Sequence, residues 1–342
     1  MSNKTSGCLI ALLVLALVVS LGLNLGQLLG KLDLDVGMEA GLTSARPKKK
    51  LHEVTVQNAL KPTRDKIVQI DLEGIISSMD AGGLFAEALP GIDTLKRSLE
   101  QAVEDKNVKA VVLHINSPGG EVTASDILYN AVKKAAKVKP VVVYMDSMAA
   151  SGGYYVACGA TKIVASETTL TASIGVIMET VNYHELFGKV GLSMATFTSG
   201  AFKDSLSGAR PMRDDEKAYV QNLVTQMYDR FLGIVSEARG VPKDTLKSTV
   251  ADGRVVTGRE ALNAKLVDQI GYIEDAYTLA RELGKAADAG VVRYRQDTGF
   301  FEVLAAAKAA PQPAKVQVDV GGGLLPKLRP GMMYYLPPNY AH

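Results

Sequence analysis

Between about Lys66 and Asp288, short β-branched runs alternate with helical patterns, and this alternation limits the possible folds more than any other feature. Residues 66–72 (KIVQIDL), 110–115 (AVVLHI), 141–145 (VVVYM) and 162–165 (KIVA) read as strands. The second and third are nearly all apolar, as strands covered on both faces are. Helical patterns intervene at 91–105 and 124–137. Strands spaced by about 30 residues with helices between them are right-handed βαβ units and predict one α/β domain. A long helix is expected over 214–239, with Val220, Leu223, Val224, Met227, Phe231, Ile234 and Ala238 on one stripe and Gly240 as its stop. Another helix starts near Thr257, residues 194–197 look like a strand, and no internal duplication is visible.

The ends have a different character. Residues 8–23 are an uncharged apolar run, and 24–30 (NLGQLLG) extend it to about the 20 residues that a bilayer-spanning helix needs. Residues 1–30 therefore read as an N-terminal transmembrane signal-anchor. A cleaved signal peptide is the rival, although no clear A-x-A site follows. Lys4 precedes the run, and Lys31, Arg46 and Lys48 to Lys50 follow it, so charge does not decide the orientation. Residues 31–65 read as a polar stalk, 66–290 as the folded domain and 291–342 as a Pro/Gly-rich tail. That tail ends in an apolar stretch, Met332 to Leu336, which leaves open both a docking strand and a loosely held end.

Composition removes several chemistries. The balance of 38 Lys+Arg against 36 Asp+Glu gives +2, without the broad basic face of a nucleic-acid binder. Cys8 and Cys158 form no C-x-x-C pair, and His184-Glu185 lacks the second histidine of H-E-x-x-H. No phosphate-cradling glycine motif follows a strand, so neither a metal nor a cofactor is expected.

Three loops carry chemistry. The first is Asn116-Ser117-Pro118-Gly119-Gly120, after the strand at 110–115. Loops at the carboxyl ends of strands hold ligands in α/β sheets, and paired glycines let a substrate approach backbone N–H groups. The same residues also suit an ordinary turn. The second loop places Ser151 where the strand at 141–145 gives way to a small-residue helix (GGYYVACGA). A serine at a strand-to-helix turn can be a nucleophile, with the next N–H as an oxyanion donor, or simply a helix cap.

A nucleophilic serine needs a base. His114 lies inside a buried strand, His52 in the stalk, and His342 is the last residue. His184 reads as a helix-surface residue, which leaves lysine as the common alternative, provided its ammonium is desolvated. The third loop, Thr198-Ser199-Gly200-Ala201-Phe202-Lys203-Asp204, offers Lys203 among small residues. Asp204 would keep that lysine charged if its side chain faced the ammonium. The residues alone leave the role of Lys203 open.

Taken together, INSPGG (115–120), MAASGGYY (148–155), TLTASIGV (169–176) and TSGAFKD (198–204) resemble peptidase family S49, the signal peptide peptidase A group in its short single-copy form. The resemblance covers about residues 66–290. It implies a serine-type endopeptidase of ClpP/crotonase-like fold, built of stacked β-β-α units. It implies Ser151 as nucleophile, Lys203 as general base and Ser173 as the hydrogen-bond partner of that lysine. The oxyanion donors would be the N–H groups of Gly152 and Gly120, or Gly119 if the turn is shifted by one. It further implies a homo-oligomeric ring tethered to the bacterial cytoplasmic membrane, facing outward, with serine and lysine from neighbouring protomers. The substrates would be apolar peptides such as cleaved signal peptides.

Overall fold

The computed structural model describes residues 51–78 and 91–295, and the backbone of a strand at 333–335. The elements run β1 (His52–Gln57), β2 (Lys66–Glu73), α1 (Ile92–Glu104), β3 (Val108–Ser117), β4 (Gly120–Glu121), α2 (Val122–Ala136), β5 (Val141–Ala150) and α3 (Gly152–Ala157). They continue with β6 (Lys162–Ala165), β7 (Leu170–Ala172), β8 (Ile177–Met178), α4 (His184–Lys189), α5 (Asp214–Arg239) and α6 (Lys243–Thr249). Last come β9 (Val255–Thr257), α7 (Gly258–Asn263), β10 (Gln269–Ile270), α8 (Ile273–Leu283), β11 (Gly290–Arg295) and β12 (Met333–Tyr335).

A mixed sheet has the order β1-β11-β2-β3-β5-β6-β10, with β7 paired to both β5 and β9. The pairings from β11 to β10 are parallel, as is β5–β7, whereas β1–β11 and β7–β9 are antiparallel. Side chains alternate across each strand. Val111, Leu113 and Ile115 of β3 join a core with Leu95 and Leu99 of α1, Leu128 and Val132 of α2, and Tyr154 and Tyr155 of α3. Ala110 and Val112 face the other way, against Ala276, Tyr277 and Ala280 of α8. The central strands are thus covered on both faces, which is why they read as continuous apolar runs. A second, small sheet sets β12 between β4 and β8, antiparallel to both.

The four strands read from sequence are present, and α5 spans the expected residues before Gly240 enters the left-handed region at φ 63. Three expectations need correction. Residues 52–57 fall in the presumed stalk, yet β1 closes the edge of the sheet beside β11. Residues 194–197 form no strand, being exposed with no ladder partner among the described residues. The folded part does not end at 290, because β11 continues to Arg295. The expected transmembrane segment at residues 1–30 lies outside the described residues. Within them, no helix is long and apolar enough to cross a membrane.

The two-sided burial makes a stability prediction. Leu113 on β3 is fully buried, so Leu113→Ala should cost about 2–5 kcal/mol. Leu60, exposed after β1, should tolerate alanine within about 0.5 kcal/mol. Denaturant midpoints of the two variants check the contrast, and equal costs would contradict the assigned faces.

Candidate active site

The site begins with the way β5 leaves the sheet. Val142–Met145 lie beside β6, whereas Met148–Ala150 lie beside β7. Ser151 comes next, at φ 52, ψ −113. An L-residue there stores on the order of 1–3 kcal/mol of strain and persists only where its surroundings dictate it. Its N–H donates to Ala172 O at 2.7 Å, and its carbonyl accepts from Tyr155 N–H at 2.8 Å to close the first turn of α3. The residue is 0% exposed. Among the described residues its Oγ has no hydrogen-bond partner, and it does not cap α3. The capping alternative therefore fails, and a buried hydroxyl is left without a structural task.

The loop after β3 meets this turn closely. A Cβ on Gly152 would stand 2.5 Å from Ser125 Oγ and 3.0 Å from Gly120 N, so only glycine permits the approach. A Cβ on Gly120 would overlap Ile76 O at 1.9 Å. Gly119, at φ 109, donates its N–H to Ser117 Oγ at 3.1 Å. Of the two alternatives left open, Gly120 is the one whose amide nitrogen borders Gly152, while that of Gly119 is engaged elsewhere. Glu121 anchors the loop by accepting from the hydroxyls of Ser77 at 2.9 Å and Ser78 at 2.5 Å. Glu121 and Ser125 were not singled out from sequence, because a residue that buttresses a loop carries no motif of its own. β12 runs along the same loop, with Tyr335 opposite Gly120 and Tyr334 opposite Glu121.

Ser173 comes directly after β7, buried and at φ 49, and its N–H donates to Arg254 O at 2.9 Å. It thus adjoins Ala172, the partner of the Ser151 amide. Lys203 is not part of this cluster in a single chain. It is exposed in the turn at 201–206, and among the described residues the Ser151 hydroxyl has no partner. Asp204 does not face the lysine either, since both its oxygens take the Arg210 guanidinium at 2.8 Å. That pairing holds the Asp204 carboxyl below its usual range.

The other chemistry-bearing side chains are engaged elsewhere. His184 is exposed on α4 with Nδ1 2.9 Å from Ala209 O. Burial pushes the Cys158 thiol up to about 12, which removes it as a nucleophile. His114 lies 3.1 Å from a carboxylate oxygen of Asp71 and 3.1 Å from one of Asp146. Asp71, Glu73 and His114 have ligand atoms within 4.8 Å of one another. Arg293 lies 3.0 Å from Asp71, and both ring nitrogens of His114 already meet carboxylates.

Known proteins resemble this chain in sequence. A model of Peptidase family S49 matches residues 133–287. The chain is 38% identical to "Putative signal peptide peptidase SppA" of Enterococcus faecium over 237 residues, 69% of each chain. It is 34% identical to "Serine protease SPPA, chloroplastic" of Arabidopsis thaliana, covering 64% of this chain and 32% of that one. A solved structure of a ClpP1 mutant from Listeria monocytogenes aligns at 16% identity and TM-score 0.39, over 61% of this chain and 93% of that one, too remote to bear on the fold. On its sequence likeness, this chain belongs to peptidase family S49.

Proposed function

We propose that the chain is a membrane-anchored serine endopeptidase of ClpP/crotonase-like fold that cuts apolar peptides with a Ser151–Lys203 dyad. The observation that carries this is Ser151 itself, a buried, strained serine with an unbonded hydroxyl, set against a glycine loop. Its Oγ attacks the scissile carbonyl, Lys203 Nζ takes the proton and returns it to the leaving amine, and water then hydrolyses the acyl-enzyme. The amides of Gly152 and Gly120 hold the oxyanion. Ser173 orients the lysine.

Lys203 comes from a neighbouring copy. In one chain it is exposed, and the stretch before it bares Val181, Leu186, Val190, Leu192, Met194 and Phe197, the last 95% exposed. Burying such a surface in a homo-oligomeric ring drives assembly and desolvates the ammonium together. An extended substrate peptide would add as a strand beside Gly120, in the place β12 occupies. The apolar run at 8–23 tethers the site at the outer side of the cytoplasmic membrane, where released signal peptides supply the substrate.

Ser151→Ala and Lys203→Ala should each lose roughly three orders of magnitude or more in turnover of a short apolar peptide. Co-expressed, the two dead variants should recover roughly a quarter of wild-type activity, because a quarter of mixed sites unite an intact serine with an intact lysine. No recovery would place the dyad within one chain. His184→Ala should remain active. A protein that only binds peptides would leave Ser151 unlabelled by a serine-directed phosphonate.

Ser151→Gly separates chemistry from stability. Glycine adopts φ 52 without strain, so this variant should be inactive yet more stable by about 1 kcal/mol. A lower melting temperature than wild type would count against a strained nucleophile.

A further inference from the structure

The strand that delivers Ser151 is not regular. Along β3 and β5 the pairing runs Ile115 to Met145 and resumes at Ser117 to Ala149. One residue of β3, Asn116, therefore stands opposite three of β5: Asp146, Ser147 and Met148. Bulges of this kind bend a strand and re-aim the residues beyond the bend. Here the bulge separates the half of β5 beside β6 from the half beside β7, and Ser151 comes three residues after it.

Side chains from two sides grip the bulged residues. From β3, His114 reaches Asp146 Oδ2 with Nε2 at 3.1 Å, while its Nδ1 meets Asp71 Oδ1 of β2 at 3.1 Å. The imidazole also stacks on Tyr144, with ring centroids 5.7 Å apart. Burial pulls the His114 pKa down, but hydrogen bonds and charge from Asp71 and Asp146 outweigh it and hold it above the usual value. That favours the ring form which donates from both nitrogens. From the other side, the buried Thr169 hydroxyl lies 2.7 Å from Asp146 O and 3.1 Å from Met145 O. Thr171 donates to Ala149 O at 2.7 Å, just past the bulge.

The grip matters because Ser151 cannot hold itself. Its hydroxyl makes no bond and its φ is unfavourable, so the nucleophile has the position that β5 gives it. We propose that the Asp146–His114 pair and the Thr169 hydroxyl clamp the β5 bulge and are positioning residues for attack by Ser151. The inference rests on the serine-peptidase reading above. None of the three touches the substrate. Each acts through the backbone, where a displacement of about 1 Å can cost on the order of 100-fold in rate.

The test uses full-length assembled protein and four variants: Asp146→Ala, Thr169→Val, and the conservative Asp146→Asn and Thr169→Ser. Readouts are kcat and KM on a short apolar peptide, the rate of Ser151 labelling by a serine-directed phosphonate, and the melting temperature. In Asp146→Ala and Thr169→Val, kcat and labelling rate should fall about 10- to 100-fold with KM changed less than about twofold. Asn and Ser preserve the acceptor and the hydroxyl, so those variants should return to within about threefold of wild type. Wild-type kcat and labelling in the alanine and valine variants would overturn the clamp. So would a loss that the conservative variants fail to restore, or one appearing in KM alone. If the wild-type protein itself is not labelled at Ser151, the serine reading falls and takes the clamp with it; a labelled wild type with unaffected variants removes only the clamp.

Discussion

An L-residue at φ 52 stays there only while the chain on both sides is fixed, and the whole candidate site depends on that constraint at Ser151. Before it, Met148–Ala150 are locked in register with β7. After it, Tyr155 N–H closes the first turn of α3 on the Ser151 carbonyl. Beside it, Ala172 accepts the Ser151 N–H while itself at φ 63, and Ser173 is next at φ 49. Two parallel neighbours thus leave the sheet through left-handed conformations at the same level. The rigidity behind them is the parallel sheet, whose central strands pack on both faces. The loop contacts extend the constraint: Gly152 and Gly120 approach to a distance that no side chain would allow.

Burial decides which elements could be read from sequence. The strands at 66–72, 110–115, 141–145 and 162–165 announced themselves because burial on two faces demands apolar residues at nearly every position. β1 (HEVTVQ) is exposed along its whole length, so it lacks the buried apolar run of the central strands, and its pairing with β11 places it in the sheet. The second half of β5, DSMAA, has no β-propensity to detect. It is a strand because β3 and β7 flank it. Residues 194–197 show the converse, since β-favourable side chains made no strand where no ladder partner stood among the described residues. Ser151, Gly120 and Gly152 were legible as a constellation of motifs. That Ser151 would be strained and unbonded was not, because it arises from contacts between loops distant in sequence.

The scarcity of histidine gains a physical meaning from the fold. His184 is turned to a backbone carbonyl on an exposed helix. His114 lies between two carboxylates on the face of the sheet that packs against α8. Each has a role of its own, and neither is hydrogen-bonded to the Ser151 hydroxyl. On the proposed reading the base is Lys203, and among the described residues the Ser151 hydroxyl has no hydrogen-bond partner in a single chain.

Around Lys203 the neighbouring carboxylates are taken by arginines. In sequence the adjacent Asp204 is the natural counter-ion, and a lysine paired with a carboxylate keeps its proton. The fold removes that partner by giving both Asp204 oxygens to Arg210, which in turn reaches Glu216 at the start of α5. Arg213 adds a hydrogen bond to Ala201 O at 2.9 Å, tying the turn to the same helix. The carboxylates near Lys203 are thereby satisfied by arginines, whose charge does not depend on pH in the working range. In the proposed ring, a surface closing over this loop and the exposed apolar side chains before it would take water from Lys203 without offering it Asp204. The ion pairs of Arg210 therefore shape the loop that carries Lys203, and in the proposed dyad they keep Asp204 away from its ammonium.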